Sequence, residues 1–197
     1  MDDLGFLANE QDAALVVFAF LQTDCIDLNY SKELFSKGKD LIATRDINHN
    51  GHRIDTEDIG DLETDGHLPE NITVCLEDIL PLVELQRPGD HEEAINIQAV
   101  AQGLREIASQ LELEAVSRAT QNLSRNISES PSRLRNHLVN EVDRLMREGV
   151  GLKDLPRERV FVALTLTLVK GVCIQAPQLL RSLFDTAVQF ICHRWAR

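Results

Sequence analysis

The sequence predicts an all-α domain, and three observations carry that prediction. Aromatic residues make up only 5% of the chain, with 10 glycines and 6 prolines in 197 residues, a composition that suits helices better than a sandwich or barrel. Apolar residues, 43% of the total, recur at helical spacing over much of the length. Pro131, Pro156 and Pro177 each stand at or near the first turn of such a pattern, where a missing N–H costs nothing. At 22.1 kDa this is one domain, residues 1–197, with enough apolar content for a real core.

Taken in order, residues 13–21 are apolar on every side, so a buried helix or strand; helical neighbours favour helix, with Asp12 as its cap. Ser31 opens a second helix over 32–43, with Leu34, Phe35, Leu41 and Ile42 inward. From 44 to 75 no period is sustained, and the stretch is rich in Asp, Asn, His and Gly. It reads as a long flexible loop, of a length that calls for a function. A short helix over 76–86 is interrupted by Pro81, and residues 87–90 form a turn that caps a long helix from His91 to about Leu113. Another helix covers 114–127, and Gly149 ends the one that begins at Pro131. Residues 160–172 are apolar all round apart from Thr165, Thr167 and Lys170, which marks a central buried helix or a membrane-seeking one. Residues 179–195 follow as a second mostly apolar helix. The expected architecture is an eight- or nine-helix bundle with an apolar hairpin inside amphipathic helices.

Charge is distributed unevenly. The whole chain carries a net of -12, a poor balance for a nucleic-acid partner. Residues 1–65 hold 5 basic and 15 acidic side chains, whereas 131–197 hold 11 basic and 6 acidic. An acidic segment can therefore offset a basic one until something separates them. The four cysteines, Cys25, Cys75, Cys173 and Cys192, form no C-x-x-C pair and read as reduced thiols packed as small hydrophobes. Asp2 and Asp3 after Met1 give no basic n-region, and the longest uncharged apolar run, 160–169, is too short to span a bilayer. The expectation is a soluble, cytoplasmic protein.

No nucleophile elbow, phosphate loop or rigid carboxylate pair is present, so the chain is not read as an enzyme, and no cofactor is implied. Residues 46–57 do satisfy the calcium-loop pattern, with Asp46, Asn48, Asn50 and Glu57 at positions 1, 3, 5 and 12 and Gly51 at position 6. Arg53 stands at position 8, where an apolar residue usually packs against a paired hand, and no second hand exists. His49 and His52, three apart, make no metal site without further ligands. A single-hand, calcium-responsive helical interaction protein is the second reading.

Two patterns are more specific. Leu62-Glu63-Thr64-Asp65-Gly66 places an aspartate before a small residue in the long loop, the extended tetrapeptide that initiator caspases accept. It also sits at the charge break. In the helix from His91, Val100, Leu104, Ile107 and Leu111 fall within 60° of one another at 100° per residue, with Ile97 at the edge and Ala101 and Ala108 flanking. An apolar stripe is ordinarily a core face. It is also the shape of a helix that lays anchors into a partner's groove.

Together with residues 15–22 near the start and 176–184 near the end, these segments resemble the BH3-interacting-domain death agonists, BH3-only members of the Bcl-2 family. The resemblance runs in order over nearly the whole chain. It implies a Bcl-2-like bundle of two central hydrophobic helices wrapped by amphipathic ones. It also implies cleavage after Asp65 by an initiator caspase and an active fragment, 66–197, that moves to the mitochondrial outer membrane. There a BH3 helix over 97–112 would activate Bax and Bak, releasing cytochrome c, and would bind anti-apoptotic Bcl-2-family proteins. The groove-binding set is then Ile97, Val100, Ala101, Leu104, Ile107, Ala108, Ser109 and Leu111. The membrane-seeking positions are Val160, Phe161, Leu164, Leu166, Leu168, Leu179, Leu183, Phe184 and Phe190. Two departures stand out: Ala108-Ser109 replaces the usual Gly-Asp, and residues 66–70 lack the Ser or Thr of a myristoylation signal. A second frame, Leu138 to Asp143, is rejected because Glu141 stands where an anchor belongs.

Overall fold

The computed structural model describes residues 4–23, 27–47, 97–149 and 155–195. The all-α expectation holds. A 3-10 turn over Gly5–Ala8 leads into α1 (Glu10–Leu21), and then come α2 (Leu28–Ile47), α3 (Ile97–Gln110), α4 (Leu113–Glu129), α5 (Leu134–Glu148), α6 (Arg157–Gln175) and α7 (Leu180–Trp195). That makes seven α-helices among the described residues. The short helix expected over 76–86 lies outside them, as do residues 48–75 of the expected loop.

Helix starts differ from expectation for identifiable reasons. Asn9, not Asp12, caps α1: its Oδ1 accepts the Gln11 N–H at 2.9 Å, and Asp12 falls in the first turn. Asp27, not Ser31, caps α2, accepting the Tyr30 N–H at 2.8 Å, so this helix begins at Leu28. Both caps are the short polar side chains that reach orphan donors best. At its far end α2 continues through residues 44–47, where the sequence analysis places loop; no Gly or Pro in that stretch stops it. The long helix expected to Leu113 ends at Gln110. The chain leaves the helical conformation at Glu112 (ψ 106°), which keeps Leu111 inside and turns Leu113 out to 83% exposure. In the last third the punctuation falls as expected. Pro131 and Pro177 open 3-10 turns that run into α5 and α7, Pro156 precedes α6, and Gly149 closes α5 in the left-handed region at φ 65°.

Two helices are buried on every face over much of their length and form the centre. In α6 every residue from Val160 to Leu166 is buried, and the hydroxyls of Thr165 and Thr167 turn back onto the carbonyls of Phe161 and Ala163, at 2.8 and 2.6 Å. In α1, Asp12 to Leu21 is buried without a break. Around α6 lie α3, α4, α5 and α7; α1 packs on α3, α6 and α7. The α6–α7 hairpin is pinned at one end by Phe161 against Phe190, with centroids 5.0 Å apart at 60°. The expected pair of central helices is thus joined by a third, contributed by the acidic segment. Each large side chain among them (Phe18, Leu15, Leu21, Phe161) stabilises the fold by roughly 1.5–3 kcal/mol through burial. Cys173 is buried in this core as a thiol, its pKa pushed up to about 12 by desolvation, and half-buried Cys192 is shifted upward for the same reason.

Candidate functional site

The amphipathic stripe of α3 faces the core and is held between α1 and α6. Ile97, Ala101, Leu104, Ile107 and Leu111 are buried, Leu104 at 2% exposure, and Val100 and Ala108 pack against them half-buried. The centre of the stripe is therefore Leu104 flanked by Ile97 and Ala101. Val100, expected as a leading anchor, sits at the edge instead, beside a small cavity of about 200 Å³ lined by Leu4, Ala99, Gly103, Leu104 and Arg159. Its angular position does not account for this, since Ile107 lies farther round the helix from Leu104 than Val100 does and is buried. Ser109 is exposed and donates its hydroxyl to the Glu106 carbonyl at 2.7 Å. It offers a partner no charge.

The membrane-seeking positions behave likewise. Val160, Phe161, Leu164, Leu166, Leu168, Leu183 and Phe184 are buried in the hairpin, with Leu179 and Phe190 half-buried against it. No described helix is long and apolar enough to cross a membrane. Leu62, Glu63, Thr64, Asp65 and Gly66 lie outside the described residues, as do positions 48–57 of the calcium-type loop. Among the described residues no cluster of three or more His, Cys, Asp or Glu side chains could hold a metal ion. In the rejected second frame, Leu138, Val142 and Leu145 are core residues. Glu141 is buried beside them and accepts from Arg144 Nη2 at 2.7 Å, a hydrogen bond that raises the arginine pKa.

The structure adds polar groups that the sequence pattern did not single out. They tie the part of the chain before residue 48 to the part after residue 96. Arg105 of α3 donates from Nη1 to the Ala19 carbonyl at 2.9 Å and to Thr23 Oγ1 at 2.5 Å. Lys37 of α2 meets Asp185 of α7 at 2.7 Å and lies 5.0 Å from the Phe184 ring centroid. Arg181 of α7 reaches Asp40 at 3.1 Å and Ser36 at 2.6 Å, with Glu33 at 4.0 Å. In the sequence these are ordinary charged residues off the apolar stripes. Their partners lie 82 or more positions away, beyond any local signal.

The apolar stripe of α3 is thus covered by α1, a helix from near the start of the chain. A model of the BH3 interacting domain (BID) family matches residues 5–196, nearly the whole chain. The chain belongs to the BH3 interacting domain (BID) family. Its fold is the all-α, Bcl-2-like bundle that the resemblance implied, and the family's role is regulatory and tied to Bcl-2-family apoptosis, not catalytic. Neither the search of curated proteins nor that of solved structures returned a match. Membership in this family makes Bcl-2-family proteins its class of partner.

Proposed function

We propose that this chain is a latent pro-apoptotic regulator, held inactive by its own amino-terminal helices and switched on by cleavage after Asp65. The observation that supports this reading is the burial of Ile97, Ala101, Leu104, Ile107 and Leu111 under α1 and α6. No groove can take these anchors until the contacts with α1 are given up. Cleavage by an initiator caspase makes the hold of α1 and α2 on the rest bimolecular, so a competing partner or surface displaces them by mass action. The piece that leaves carries most of the negative charge, -10 of the net -12. The remaining fragment, 66–197, then meets the anionic mitochondrial outer membrane with its basic third, at roughly 1 kcal/mol per suitably placed Lys or Arg. Its α6–α7 hairpin embeds without spanning. Released α3 engages Bax and Bak to promote cytochrome c release, and anti-apoptotic relatives sequester it through the same stripe.

The deciding experiment is incubation of the chain with an initiator caspase, followed by sequencing of the new amino terminus and a cytochrome c release assay on isolated mitochondria. The expected result is a terminus at Gly66 and release by the cut protein alone. Asp65→Ala should abolish both. If that variant is cut and active as readily as the parent, the switch lies elsewhere, and Asp78 in Leu76-Glu77-Asp78 is the next site to test.

A further inference from the structure

The carboxyl end of α1 is closed by side chains from two other helices. The Phe18 carbonyl accepts the Gln22 N–H at 3.0 Å, the Leu21 carbonyl accepts the Tyr30 hydroxyl of α2 at 2.7 Å, and the Ala19 carbonyl accepts Arg105 Nη1 of α3 at 2.9 Å. The same Nη1 donates to Thr23 Oγ1 just beyond the helix end. Arg105 is set for this contact from its own helix. Its Nε and Nη2 both donate to Gln102 Oε1 one turn back, at 3.2 and 3.0 Å, so the planar fork is oriented before it meets α1. A cation is also favoured at the negative end of the α1 dipole.

Its place on the α3 wheel matters as much. Arg105 follows Leu104 and so lies 100° round from it, off the apolar stripe. The stripe serves two exclusive purposes, packing in this fold and, in the reading above, docking in a groove. Arg105 serves only the first. We propose that Arg105 is a positioning residue that latches α3 to the end of α1 and sets how readily the two helices part, independently of how tightly the stripe binds any groove. The latch is a property of the folded chain, and only its consequence for activation rests on the reading above.

The test is amide hydrogen exchange on the full, uncut chain. Arg105→Met keeps the aliphatic stem and removes the donors. It should speed exchange of the α3 amides about tenfold to hundredfold, the range expected for charge-assisted hydrogen bonds to part-buried acceptors, with far less change in the slowest α6 amides. Arg105→Lys keeps the charge without the fork and should fall between, and Thr23→Val should act in the same direction but add little to Arg105→Met. Leu138→Ala, which weakens the bundle from α5, should instead speed α3 and α6 together. A synthetic helix of residues 97–112 carrying Arg105→Met should bind a Bcl-2-type groove as tightly as its parent. The proposal is overturned if α3 exchange is unchanged by Arg105→Met, or rises only in step with α6. It is equally overturned if the synthetic helix loses affinity, because Arg105 would then belong to the groove surface. A parent helix that binds no groove would defeat the functional reading, while selective α3 opening would still uphold the latch.

Discussion

Lys37 and Asp185, 148 positions apart in sequence, meet at 2.7 Å across the α2–α7 contact. With Arg181 and its partners Asp40, Ser36 and Glu33, they form a polar clasp between the acidic first part of the chain and the apolar hairpin. Exposed pairs of this kind contribute about 0.2–1 kcal/mol each and are screened by salt. Arg181→Gln should therefore lower the urea-unfolding free energy of the uncut chain by less than about 1 kcal/mol. In a chain nicked within 48–96, rising salt should speed separation of the two pieces, and Arg181→Gln should remove much of that dependence. Separation insensitive to both would mean the clasp contributes nothing to the hold.

Leu104 has two distinct costs to report. In the intact fold it is fully buried, so Leu104→Ala should destabilise the uncut chain by about 2–5 kcal/mol in denaturant titrations. In a synthetic helix of residues 97–112 the same change should weaken binding to a Bcl-2-type groove by at least about 2 kcal/mol. Unchanged groove affinity would remove α3 as the binding segment. Ser109→Asp, at an exposed position, should leave the uncut fold within about 1 kcal/mol of the parent, the limit of an unfavourable charge near a helix carboxyl end. It should tighten groove binding by supplying the missing carboxylate.

Gly171 on α6 faces Thr120 of α4. A methyl group there would come within 2.8 Å of Thr120 Cγ2, and Thr120 is fixed by donation of its hydroxyl to the Val116 carbonyl. Alanine is worth up to about 1 kcal/mol over glycine in a helix. Gly171→Ala should nonetheless destabilise by about 1–3 kcal/mol, because overpacking a close crossing outweighs propensity. Thr120→Ala in the same chain should recover most of the loss. A more stable single variant in thermal unfolding would show that the helices separate at no cost.

Cys173 makes stability sensitive to alkali. Its thiol pKa rises from 9.0 to about 12 on folding, so the unfolded chain releases this proton first as pH climbs. The folded state loses stability progressively between about pH 9 and 12 and gains nothing below pH 9. Urea midpoints at pH 7.5 and 10 should therefore differ less for Cys173→Ala than for the parent. In the native protein Cys173 should resist thiol reagents, with half-buried Cys192 reacting before it.

Helix type and order were legible because they rest on local patterning. The fully apolar runs of α1 and α6, the prolines ahead of α5, α6 and α7, and Gly149 each act within a few residues. Boundaries shifted where a short polar residue lay outside the apolar pattern, as with Asn9 and Asp27, whose capping role depends on a single backbone N–H. The apolar stripe of α3 was legible as a set but not in its centre. Spacing fixes which residues share a face and leaves open what each one meets across the contact, so Ile97 is buried while Val100 borders a cavity. Arg105, Thr23, Lys37 and Arg181 were not legible at all, since a charged residue that pairs across 82 or more positions looks like any solvated one.

The burial of α1 from Asp12 to Leu21 fixes the fate of a cut molecule. Its ten buried residues at about 1.5 Å each make a rod about 15 Å long that is apolar on every side beyond Asp12. Withdrawing it would leave a dry trench of the same length, floored by α3, α6 and α7, that water fills only at great expense. Severing the peptide link would therefore not by itself dissolve the assembly. It would leave a pair whose halves stay mated until something equally oily takes the vacated place, so separation of a cut molecule would be decided by its surroundings.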